Sequence, residues 1–126
     1  MQTFLQTINE SGAVDYRVKN DGDTVTLTMY IGQVNVGRFI AKIEDDKAVI
    51  TYMRVGEYYR HNGYGTVLLK KLIRILKTNF ESINEIYVTI KKSQSVSTDM
   101  FRALLSKAWF EPRTYGTVEA TFSLKV

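Results

Sequence analysis

The chain has 126 residues, 44% of them hydrophobic, with a formal net charge of +4, no cysteine and a single histidine, His61. That length suits one globular domain over 1–126 with a core of its own, and is too short for two. Without thiols there are no disulfides, thiolate metal sites or cysteine nucleophiles, and one histidine removes the basis for a histidine-rich metal site or a Ser-His-Asp triad, so no metal is expected. No apolar run approaches membrane-spanning length, and the start MQTFLQTINE lacks the basic and apolar segments of a signal peptide. A cytoplasmic protein without membrane contact is expected.

Phe4, Leu5 and Ile8 have helical spacing and suggest a short helix ending near Gly12. A short strand is expected from Val14 to Lys19, then a turn at Asn20-Asp21-Gly22-Asp23. From Thr24 to Ile31 apolar and polar residues alternate, with Val25, Leu27, Met29 and Ile31 on one face. Gly32-Gln33 turns the chain into Val34–Glu44, where the apolar parity shifts around Gly37 and signals a bulge. After a turn at Asp45-Asp46-Lys47, the run AVITYMRV (Ala48 to Val55) is mostly apolar on both faces and is expected to be central in its sheet.

Next comes the most informative stretch, Glu57 to Lys77. Gly63 and Gly65 allow positive φ and close backbone approach, and a strongly amphipathic helix follows at once, burying Leu68, Leu69, Leu72, Ile75 and Leu76. Loop N–H groups and the unpaired N–H groups of a helix start converge on one point, where the helix dipole also favours negative charge. Thr66 can add a hydroxyl donor. Lys70, Lys71, Arg74 and Lys77 give the helix a basic side that attracts phosphates. Asn79 ends the helix, and Glu85 to Ile90 is a strand that can pair in parallel with Ala48–Val55 through the helical crossover. Ser97 or Thr98 caps a second helix whose stripe is Phe101, Leu104, Leu105 and Ala108, and Pro112 bars its continuation. A long alternating strand, Thr117 to Val126, closes the chain, its exposed edge a place for a second copy to pair as a homodimer.

The segment Arg60-His61-Asn62-Gly63-Tyr64-Gly65 resembles the R/Q-x-x-G-x-G/A motif of the GCN5-related N-acetyltransferases (GNAT), and the order of elements over residues 24–126 is similar to theirs. The resemblance implies a mixed α+β fold, in which an antiparallel meander leads into a parallel β-α-β crossover with a glycine phosphate loop. It implies acetyl-coenzyme A as cofactor, its pyrophosphate on the backbone of Arg60, His61, Asn62, Gly63, Tyr64, Gly65 and Thr66 and its pantetheine arm along Met53 to Val55. The strand before the loop and the next parallel strand would splay apart around the thioester, with Val55 and Tyr87 near opposite walls and the Val55 backbone N–H polarising the carbonyl.

Catalytic side chains are less legible. Relatives carry a Tyr in the second helix before a Gly-Phe pair; matching Trp109-Phe110 to that pair puts Leu105 at the Tyr position and Thr98 at a preceding Asn position. The Glu that histone-type members use as base corresponds to Val49. Glu57, acting through a water, and Tyr52 are the remaining candidates for a base, with Tyr58, Tyr59 and Tyr87 close by. The acceptor amine is expected to be a protein N-terminus or lysine, or a small amine. Two other functions remain open: an acyl-coenzyme A binding or protein-interaction module without catalysis, and a nucleic-acid-associated domain using the lysine face with Tyr58, Tyr59 and Tyr64.

Overall fold

The computed structural model describes residues 4–9, 14–59, 63–91, 105, 108, 110–115 and 119–126. Among these residues eight strands form, β1 (Phe4–Asn9), β2 (Val14–Asp21), β3 (Thr24–Ile31), β4 (Val34–Glu44), β5 (Lys47–Val55), β6 (Glu85–Lys91), β7 (Glu111–Tyr115) and β8 (Glu119–Lys125), together with helix α1 (Tyr64–Asn79). They make one sheet of order β1-β2-β3-β4-β5-β6-β8-β7. β1 to β5 are an antiparallel meander. β5 and β6 pair in parallel across α1, as the crossover requires.

The N-terminal segment is a strand and not the short helix suggested by Phe4, Leu5 and Ile8. Its six residues pair one to one with β2, from Phe4 opposite Asn20 to Asn9 opposite Asp15. So short a helix does not repay its nucleation, whereas the β2 edge supplies a backbone partner for the whole segment. Only residues 10–13 separate β1 from β2.

The alternation of β3 places Val25, Leu27 and Met29 in the core. In β4 the bulge lies where the parity shift indicated, since Met29 faces Gly37 while Tyr30 faces Asn35, leaving Val36 as the extra residue. Helix α1 buries Leu68, Leu69, Leu72, Ile75 and Leu76 and packs over β3, β4 and β5. It lies close over Gly37: a Cβ there would lie 2.6 Å from Leu68 Cδ1 and 2.9 Å from the Arg54 carbonyl oxygen. Gly37 therefore lets α1 sit directly on β4, and that fixes where the helix begins. No helix among the described residues is long and apolar enough to cross a membrane.

β5 is central in the strand order, but only one of its faces is covered. Ala48, Ile50 and Val55 are buried, while Thr51, Tyr52 and Arg54 are exposed. The apolar content that suggested two covered faces comes from residues that bury on a single face, plus Tyr52. On the C-terminal side β8 is an interior strand between β6 and β7, so the edge expected to be free for a second copy is taken by β7. The outer strand β7 carries Pro112 and a register shift between Pro112 and Thr114, both of which discourage further pairing. The expected second helix lies mostly outside the described residues; Leu105 and Ala108 from its stripe are fully buried.

Candidate active cleft

β5 and β6 are joined by four residue pairs only, from Lys47 opposite Glu85 to Ile50 opposite Val88. Beyond them β5 continues to Val55 beside β4, and β6 continues to Lys91 beside β8. The two parallel strands therefore part after Ile50 and Val88, opening a gap in the middle of the sheet. The parting begins at a second bulge, because Ile40 faces Tyr52 and Ala41 faces Ile50, so Thr51 has no opposite number. A bulge sharpens local twist and turns the end of the strand away from its former neighbour. This bulge was readable in the sequence as a parity switch, from Ala48 and Ile50 to Met53 and Val55.

Hydrogen-bond direction along β5 follows from one contact. The Gly56 N–H donates to the Val36 carbonyl at 2.8 Å, and in an antiparallel ladder such bonded residues alternate. Counting back from Gly56, Arg54 also faces β4, opposite Arg38. By the same alternation the main-chain groups of Met53 and Val55 point to the gap side of β5. Met53 is half-buried and Val55 is 9% exposed, so this edge is lined with apolar side chains.

The chain then leaves the sheet through Gly56 and a single 3-10 turn, Glu57–Tyr59, closed by a Tyr59 N–H bond to the Gly56 carbonyl at 2.9 Å. Arg60, His61 and Asn62 lie outside the described residues. Gly63 is the N-cap of α1, left-handed at φ 80 and ψ 0, and its carbonyl accepts the Val67 N–H at 3.1 Å. An N-cap glycine has no side chain to satisfy the first N–H groups of its helix, and no side-chain cap bond occurs here. The first turn also contains no acidic residue. Tyr64, Gly65 and Thr66 thus start a helix whose positive end is uncompensated by its own cap. Gly65 lies within the helix and is not among the positive-φ glycines, so its contribution is the missing Cβ and not the left-handed φ expected of it. Tyr59 and Tyr64 bracket the loop, their ring centroids 6.3 Å apart.

Of the catalytic candidates, Tyr52 lies at the Thr51 bulge on the face opposite α1, 41% exposed. Glu57 is exposed at the start of the 3-10 turn, and Tyr58 is 92% exposed. Tyr87 is not on a wall of the gap. It faces Val49 inside the paired part of the ladder, and its hydroxyl donates to Glu85 Oε1 at 2.7 Å. That bond, aided by the nearby Ser123 hydroxyl and the Arg113 guanidinium, holds the Glu85 carboxyl below the ordinary carboxylate range, and it raises Tyr87 above the ordinary phenol value. Leu105, at the position where relatives carry a Tyr, is fully buried.

The comparisons with known proteins agree with this geometry. The model of the Acetyltransferase (GNAT) family matches residues 4–105. Among solved structures, the chain is similar to the PaiA N-acetyltransferase of Thermoplasma acidophilum in complex with coenzyme A, at 19% identity and a TM-score of 0.70, covering 82% of this chain and 62% of that one. It is also similar to the ribosomal-protein-S18-alanine N-acetyltransferase of Escherichia coli, at 18% identity and a TM-score of 0.68, covering 85% of this chain and 72% of that one. At these identities the likeness is one of fold. A curated relative, chaperone protein HtpG of Rickettsia prowazekii (strain Madrid E), is 31% identical over 98 residues, which are 78% of this chain and 16% of that protein. The chain thus spans a small part of that relative's length. With a family match over most of its residues and the fold that goes with it, the chain belongs to the acetyltransferase (GNAT) family.

Proposed function

We propose that the protein is an acetyl-coenzyme A dependent N-acetyltransferase, which transfers the acetyl group directly to an amine while both substrates are bound. The observation that carries this reading is the conjunction of a parted β5–β6 pair with a glycine-capped helix start at the end of the same strand. The donor set fits the cofactor. Hydrogen bonds to a charged acceptor contribute roughly 1.5 to 3 kcal/mol each, so a few N–H groups from the loop and from Tyr64, Gly65 and Thr66 can hold a pyrophosphate without a basic side chain. The main chain on the gap side of β5, at Met53 and Val55, would hold the pantetheine arm, and the Val55 N–H would polarise the acyl carbonyl. Bound in this way, acetyl-coenzyme A supplies an acyl group activated as a thioester.

The protein's own work is to present a neutral amine to that carbonyl. As the N–C bond forms and the C–S bond breaks, the amine loses one proton and the thiolate leaves, to be protonated from solvent. Glu57 receives the amine's proton through a water, or Tyr52 relays it, its hydroxyl passing its own proton to solvent as it takes the amine's. Leu105 cannot serve as the acid, which is consistent with a cleft open enough for solvent to do so. The protein titrated calorimetrically with acetyl-coenzyme A should bind in the micromolar range. Gly65→Glu should abolish that binding and keep the fold: a carboxylate in the first turn favours the helix yet occupies the place of the phosphates. A folded wild type that does not bind would refute the reading.

A further inference from the structure

The face of the sheet opposite α1 carries an arginine row. In register, Arg17 of β2 faces Thr28 of β3, Thr28 faces Arg38 of β4, and Arg38 faces Arg54 of β5. The row thus crosses four adjacent strands, starting at the strand that lines the cleft. With strands about 4.8 Å apart, Arg54 and Arg17 are about 14 Å from one another. All three arginines are exposed. Arg38 donates to Thr28 Oγ1 at 3.4 Å, and Arg17 lies over the Tyr30 ring at 4.3 Å.

Among the described residues none of the three forms an ion pair. The carboxylates on the same face are placed elsewhere: Asp15 faces Tyr30 one step along the strands, Asp21 lies at the far end of β2, and Glu44 is paired with Lys42 at 3.9 Å. Like charges directly opposite across two strands are destabilising, and Arg38 and Arg54 are such a pair. A partner that supplies negative charge would offset that cost. The row is also one-sided. Across the gap, the same face of β6 and β8 presents Glu85, Tyr87, Ser123 and Lys125, the lysine opposite Glu85, with Arg113 already held by the Glu85 carboxylate at 3.4 Å and by Ser123.

We propose that the acceptor is a polypeptide N-terminus followed by acidic residues, lying along this row with its amine at the β5 edge. The proposal rests on the N-acetyltransferase reading above and names its second substrate. A single small anion can engage only the adjacent Arg38 and Arg54, whereas about four residues of extended chain span the whole row. A chain that begins at the cleft needs complementary charge on one side only, and that is where the arginines are.

The test uses three free-amine peptides of equal length, with acidic, uncharged and basic residues after a shared N-terminal alanine. In low salt the acidic peptide should be acetylated with a kcat/KM about tenfold above the uncharged one, an advantage that shrinks as salt is raised. Arg17→Glu with Arg38→Glu should remove the preference for the acidic peptide and favour the basic one, a reversal that a merely destabilised protein would not show. Acetyl-coenzyme A titration of the same variant reports that it is folded. Equal rates for the three peptides, in a protein that binds acetyl-coenzyme A, would overturn the proposal and leave the cofactor reading intact. Free glutamate acetylated as efficiently as the acidic peptide would overturn the polypeptide assignment. Failure of the wild type to bind acetyl-coenzyme A, seen before any acceptor is added, would overturn both.

Discussion

Gly37 is the residue on which the position of the cleft depends. Its missing Cβ is what allows Leu68 of α1 to lie against β4, and a backbone carbonyl on the other side leaves no room to yield. Gly37→Ala should therefore cost about 1–3 kcal/mol, the usual range for overpacking, read as a fall in the urea midpoint. Cofactor affinity should fall with it, because the start of α1 shifts. A second prediction concerns Glu85 and Tyr87, whose pKa values move apart through their shared hydrogen bond. The contribution from Glu85 is present above the ordinary carboxylate pKa and is lost as pH falls through the lowered value. That from Tyr87 is present below the ordinary phenol value and is lost as pH rises through the raised one. In Tyr87→Phe the Glu85 carboxyl should titrate at a higher pH than in the wild type, which carbon-detected NMR of the side chain measures directly.

Single elements differ in how much of them the sequence disclosed, and the reasons are physical. The buried stripe of α1 is correct residue by residue, because a long amphipathic helix repeats its apolar spacing over four turns and needs no distant partner to declare it. In β1, Phe4, Leu5 and Ile8 have helical spacing, and the pairing that makes the segment a strand is with residues beyond it. β7 was unforeseen because Pro112 reads as a breaker, although an edge strand tolerates it. The helix start was legible from Gly63 and Gly65, although only Gly63 precedes the helix, whereas the place of Tyr87 was not, because no periodicity says how many rungs of a parallel ladder are zipped. The Thr51 bulge yields a prediction at this scale. Deleting Thr51, which has no opposite number, leaves Ile50 and Tyr52 opposite Ala41 and Ile40 in a regular ladder, with Arg54 and Val55 on their present faces but without the bend that turns β5 away from β6. The deletion should leave the urea midpoint little changed while acetyl-coenzyme A binding weakens, because β5 and β6 no longer part.

For the whole molecule, the four-rung ladder between β5 and β6 has a mechanical meaning. It is the seam between two halves: the β1–β5 meander, over which α1 packs, and the β6–β8–β7 unit. A ligand lying in the parted end touches both halves and works like mortar between them. Acetyl-coenzyme A should therefore slow amide hydrogen exchange in β6, across the seam from the strand it lies along, and raise the melting temperature as its concentration rises. The place where the sheet is least sewn together is then also where it is most responsive, so occupancy of the cleft and cohesion of the fold become one measurable quantity.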